Sequence, residues 1–107
     1  MLIWLWLLLG PKNVELTVRP ISAVIRNESI HVICRIPQRA ENRQVAYGLE
    51  SHLSTREVAG AQRQITFEKV ITHISCPGPL VALCALTNNK GKTERRQQTI
   101  EVLGCDF

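Results

Sequence analysis

From Val14 onward, apolar and polar positions alternate in short segments separated by proline, glycine and asparagine, and no helical periodicity persists beyond a few turns. That is the pattern of an all-β chain. Val14, Leu16 and Val18 alternate ahead of Pro20, which suits an edge strand because proline cannot donate to a ladder. Ile21 to Ile25 extends this as a second edge segment, and Arg26, Asn27 and Glu28 supply a turn. Ile30, Val32, Cys34 and Ile36 then share one face of a strand, with His31, Ile33 and Arg35 on the other. After a polar loop over Pro37 to Asn42, Val45, Tyr47 and Leu49 alternate with Ala46, Gly48 and Glu50. Residues 51 to 63 are weakly patterned. Ile65, Phe67 and Val70 or Ile71 mark a later strand, and Cys76-Pro77-Gly78-Pro79 excludes both helix and ladder. Leu80 to Thr87 and Arg95 to Leu103 form a last pair of strands around a hairpin at Asn88 to Lys92.

The beginning of the chain stands apart from this pattern. Leu2 to Leu9 is an unbroken run of eight apolar residues, too short for a transmembrane helix, which needs about 20. Its length is that of the apolar centre of a secretory signal, closed by Gly10, Pro11 and Lys12. The expectation is a signal segment over residues 1–12, shortened at its start, ahead of one domain over 13–107. The alternative is an apolar first strand of the mature domain. A chain of 107 residues allows one core of ordinary size. Thirteen basic against nine acidic residues leave a net charge of +4, well short of the density of dedicated nucleic-acid binders. Neither a nucleic-acid partner nor a membrane span is expected.

Four cysteines behind a signal-like run point to an oxidising compartment and two disulfides, for which the sequence allows three connectivities. Glu28-Ser29-Ile30-His31-Val32-Ile33-Cys34 resembles strand B of an immunoglobulin superfamily domain of the C2 or I type. Cys84-Ala85-Leu86-Thr87-Asn88-Asn89-Lys90-Gly91 resembles that family's strand F running into the F–G hairpin. The resemblance spans residues 13 to 103. Tyr47, within Val45-Ala46-Tyr47-Gly48-Leu49, stands where most members carry tryptophan and resembles the Fc-receptor-like and platelet endothelial adhesion molecule group. Ala82 stands where a tyrosine ordinarily anchors the E–F turn. The resemblance implies an immunoglobulin-like antiparallel β-sandwich with Greek-key topology and a Cys34–Cys84 bond between its sheets. It also puts Cys76 and Cys105 near one pole, where a second bridge would staple the turn that lacks its tyrosine. The alternative is a free or intermolecular Cys105.

Asn27-Glu28-Ser29 is an N-glycosylation acceptor in a turn, so Asn27 is expected to carry a glycan in a eukaryotic secretory pathway. His31, His52 and His73 have no zinc-ligand spacing, and no nucleophile elbow surrounds a serine. No metal, cofactor or catalytic residue is therefore expected, and the chain reads as a binding protein rather than an enzyme. Between Leu80 and Thr87 both faces are apolar: Leu80, Ala82, Cys84 and Leu86 on one, Val81, Leu83 and Ala85 on the other, where a half-solvated strand would alternate. With Ala46 and Gly48 beside them, the second set forms a flat apolar patch expected to meet a protein partner, homophilic or of receptor–ligand type. The alternative is that Leu2 to Leu9 is retained and packs there.

Lys90, Lys92, Arg95 and Arg96 gather positive charge around the hairpin, either as a solvated loop or as a dock for an acidic protein surface or sulfated glycan. The function that follows is extracellular recognition in adhesion, receptor binding or immune signalling, on a chain that is secreted or displayed at the cell surface. A glycosaminoglycan-binding or cytokine-like secreted factor, and a packing domain of a larger assembly, are the alternatives. With neither anchor nor cytoplasmic tail in the sequence, the chain is expected to be secreted, a fragment, or a truncated receptor. Mass mapping of tryptic peptides without reduction is expected to recover Cys76 linked to Cys105; alkylation of Cys105 before reduction would exclude that bridge.

Overall fold

A computed structural model describes residues 11–21, 23–25, 28–58, 64–72, 74 and 79–104. Among these residues there are eight strands and no helix: β1 (Glu15–Arg19), β2 (Ala23–Ile25), β3 (Ile30–Arg35), β4 (Asn42–Leu49), β5 (His52–Glu57), β6 (Thr66–Ile71), β7 (Leu80–Asn88) and β8 (Thr93–Leu103). Three of them form an antiparallel sheet in the order β1-β3-β6. The other five form a mixed sheet in the order β2-β8-β7-β4-β5, in which β2 runs parallel to β8 and the remaining pairs are antiparallel.

The alternation along each strand decides which side chains the two sheets share. In β3, Ile30, Val32 and Cys34 are buried while His31, Ile33 and Arg35 are half-buried. Val45, Tyr47 and Leu49 of β4 and Ala82, Cys84 and Leu86 of β7 approach them from the other layer. The interior divides into two clusters. One surrounds Tyr47 and Phe67, whose rings lie 5.4 Å apart and tilted by 37°. The other gathers Val18, Ile30, Val32, Leu49, Ala82 and Ile100. Burying a side chain of this size contributes about 1.5–3 kcal/mol. Cys34 of β3 is bonded to Cys84 of β7, so the two sheets are tied covalently through their inner strands, with a Cα–Cα distance of 5.6 Å.

The N-terminal part of the chain belongs to both layers. β1 pairs with β3 in the smaller sheet, and the chain then passes through a cis Arg19–Pro20 peptide to reach the larger sheet. There β2 lies along Glu101–Leu103 of β8, and the Gln98 side-chain amide donates to the Ile21 carbonyl beside the crossing. Pro20 thus stands between strands, where its missing N–H removes nothing from a ladder.

Two boundaries differ from the sequence reading. β4 starts at Asn42, inside the segment read as a polar loop, and its register against β7 shifts between Asn42 and Gln44. β5 occupies part of the segment read as weakly patterned. Apart from Ser54 its side chains are all exposed, so it has no apolar alternation to betray it, and its antiparallel ladder to β4 is what holds it extended. Residues 1–10, Asn27, His73, Cys76 and Cys105 lie outside the described residues, so the signal segment, the glycan acceptor and the second bridge expected there do too.

The Cys34–Cys84 bond joins positions 50 apart. Replacing either cysteine by alanine is expected to lower unfolding free energy by about 4 kcal/mol, the loop-closure entropy returned to the unfolded chain. Guanidinium titration monitored by circular dichroism reads this as a fall in midpoint, or as a chain that no longer folds.

Candidate functional site

Because Tyr47 and Cys84 point inward, Ala46, Gly48, Val81, Leu83 and Ala85 belong to the outer face of the five-stranded sheet. The register sets them in rows across the strands. Leu53, Gly48, Leu83 and Gln97 form one row over β5, β4, β7 and β8, and Thr55, Ala46, Ala85 and Arg95 form the next. The sequence reading located this apolar strip, but the structure makes its accessible part narrower than a flat patch. Leu83 is only 5 % exposed although it belongs to neither interior cluster, Gly48 is buried, and Ala46, Val81 and Ala85 are half-buried. Within these rows the accessible large apolar side chain is Leu53, 40 % exposed, on the strand that the sequence did not signal.

Gly48 has a positive φ of 128°, which side chains rarely adopt. A Cβ at this position would stand 2.6 Å from the His52 carbonyl oxygen, where the chain folds back into β5, and 3.0 Å from Cδ of Lys69. Glycine is therefore required by the approach of the His52 carbonyl and of Lys69 from the facing sheet, both on the side away from the outer face. Lys69 rises from the inner side of β6, and its Nζ donates to Ser54 Oγ at 2.8 Å, tying the smaller sheet to β5.

The basic hairpin meets the β3–β4 connection at one end of the molecule. Asn88 Oδ1 accepts from the backbone N–H groups of Lys90 and Lys92 at 2.9 and 3.0 Å, which fixes the turn that Gly91 completes. Asn89 N–H donates to the Glu41 carbonyl at 2.8 Å and fastens the hairpin to the connection. On that side Asn42 Nδ2 donates to the Pro37 carbonyl at 2.7 Å. Arg39 reaches Glu94 Oε1 at 3.4 Å and the Lys12 carbonyl at 2.9 Å, while Glu94 Oε2 accepts from Val14 N–H at 2.6 Å.

These elements border an open cavity of about 490 Å³ lined by Arg39, Asn42, Leu86, Lys92, Arg95 and Arg96, with Glu41 and Glu94. Asn42 Oδ1 is buried and receives no hydrogen bond from the described residues. Leaving such an acceptor unsatisfied costs about 1–3 kcal/mol. Of the four basic residues singled out in the sequence, Lys92, Arg95 and Arg96 line this cavity, and Lys90 is exposed in the turn outside it. Arg39 and Asn42 were not signalled, since nothing local marks them; the fold brings them beside residues some 50 positions later. Among the described residues no three His, Cys, Asp or Glu side chains gather in a metal-binding group, and no helix is long and apolar enough to cross a membrane.

Gly48→Ala is expected to destabilise the chain by about 1–3 kcal/mol, through backbone strain and the contact with the His52 carbonyl. Gly91→Ala, whose Cβ would meet nothing within 4 Å, should show only the smaller cost of its positive φ of 83°. Denaturation midpoints of the two variants measured side by side check the difference. Compared with protein-family models, with curated proteins and with solved structures, the chain finds no match in any of the three.

Proposed function

We propose that the chain is an immunoglobulin-type recognition domain that works outside the cytosol and binds a protein partner through the outer face of β5-β4-β7-β8. Support for the family comes from the partition of strands, β1-β3-β6 against β2-β8-β7-β4-β5, from the change of sheet after Pro20, and from the bond between β3 and β7. A Greek-key sandwich of that family accommodates all three. A buried disulfide in a small β domain is compatible with an oxidising compartment.

The observation that carries the functional reading is the apolar strip on the side of β7 that faces away from the core. Val81, Leu83 and Ala85 occupy positions where a solvated antiparallel strand would place polar residues. Ala46 beside them is small enough to let another surface approach the sheet closely, and Gly48 puts no side chain on that face. Thr55, Gln97 and Thr99 surround the strip, giving the apolar centre and polar rim of a protein interface.

Leu83→Glu is unsuited as a test, because a carboxylate at so buried a position would compromise folding as well as binding. Leu53→Glu and Ala85→Glu place the charge on the more accessible parts of the same face. Both variants, shown to be folded by circular dichroism, are expected to weaken by about tenfold or more the capture of cell-surface partners in a proximity-labelling screen. Sedimentation velocity of the unaltered chain separates a homophilic partner from a different protein. Undiminished capture and undiminished self-association in both folded variants would remove the reading.

A further inference from the structure

We infer that the cavity between the β3–β4 connection and the β7–β8 hairpin is a socket for a single acidic side chain, aspartate or glutamate, presented by a protein partner. The inference adds a second contact to the proposed recognition role and rests on that role in taking the partner to be a protein.

The walls are built before any ligand arrives. Asn88 and Gly91 fix the hairpin, the Asn89–Glu41 hydrogen bond fastens it to the connection, and Asn42 braces the connection on the Pro37 carbonyl. A group bound there loses little to the ordering of loops. The charges are unequally committed. Arg39 is engaged with Glu94 and with the Lys12 carbonyl. Lys92, Arg95 and Arg96 have no carboxylate within ion-pair distance among the described residues, Arg96 donating only to the Arg95 carbonyl at 3.0 Å, and all three line the cavity. A guanidinium takes a carboxylate in two parallel hydrogen bonds, and Arg95 and Arg96 are adjacent on β8.

The floor adds a second, independent feature. Asn42 is 8 % exposed and its Oδ1 has no donor among the described residues. A carboxylate alone cannot satisfy that oxygen, whereas an acidic residue within a peptide brings an N–H group close to its charge, which reaches the oxygen once the Asn42 side chain turns toward the cavity. Leu86, buried beside Asn42, offers apolar contact to the methylene carbons that carry the carboxylate.

The same lining argues against a long sulfated chain. Glu41 and Glu94 share the cavity with the cations, so each further sulfate would meet a like charge. Successive residues of a strand project to opposite sides, so Arg95 and Arg96 do not form a linear track along β8.

The test is a nuclear magnetic resonance titration of the isotopically labelled full chain with the acetylated, amidated peptide Gly-Glu-Gly. Gly-Gln-Gly serves as the neutral control and a heparin tetrasaccharide as the polyanion. Saturable shifts on the amides of Asn42, Leu86, Asn88 and residues 92–96 are expected with the acidic peptide and not with the neutral one. Arg95→Gln combined with Arg96→Gln should weaken the acidic peptide by about tenfold or more. Leu53→Glu should leave this binding unchanged, so that loss of the outer-face contact and loss of the socket are read separately. Equal response to the neutral peptide, absence of saturable shifts at tens of millimolar peptide, or undiminished binding by the double variant would overturn the socket. So would a response at these residues to the heparin saccharide alone.

Discussion

The Cys34–Cys84 bond joins two inner strands from different layers, near the end of β3 and at the middle of β7, and the direction of every neighbouring side chain follows from it. Strand residues alternate between faces, so an inward Cys84 obliges Leu83 and Ala85 to face outward, and an inward Cys34 does the same to Ile33 and Arg35. A slip of one residue in either strand would exchange core and surface along its whole length. Tyr47 lies opposite Cys84 in the ladder and meets Phe67 of the facing sheet, so aromatic packing and the covalent link reinforce one register. The interior and the proposed contact face are two consequences of the same constraint.

The cavity at the hairpin arises differently. Its residues come from the connection around 39–42 and from the segment 86–96, which meet because β4 and β7 are neighbours and run antiparallel. Hydrogen bonds to backbone atoms, rather than apolar packing, hold this end in shape, with Asn88 and Asn42 each bracing its own loop. Side-chain amides serve this purpose well because they can replace the regular ladder where the chain must turn. Charge is therefore displayed on a rigid mount.

Much of the layout was legible in the residues themselves. The alternation of Ile30, Val32 and Cys34, of Val45, Tyr47 and Leu49, and of Ala82, Cys84 and Leu86 marks three strands, and all nine side chains are buried as that alternation requires. β5 was not legible, because Leu53 is the single apolar residue of His52–Glu57, too little to make an alternation, and the segment owes its extension to pairing with β4. Gly48 carried a signal that could have been used: a glycine inside a strand marks close approach of another backbone, here the His52 carbonyl. Lys92, Arg95 and Arg96 were visible as a cluster along the chain, whereas Arg39 and Asn42 join them only through the pairing of distant strands.

The shortness of β2 has a consequence for how the larger sheet ends. β2 accompanies β8 only along Glu101–Leu103, so among the described residues the stretch Thr93–Gln98 presents an unaccompanied row of amide and carbonyl groups. Such a row is a template on which a stray chain can add itself and seed fibrous aggregates. Glu94, Arg95 and Arg96 occupy that stretch, and an arriving strand would have to strip water from three ionised groups. Arg56 and Glu57 guard the opposite margin in the same way. Sideways growth of the sheet is thereby discouraged at both borders.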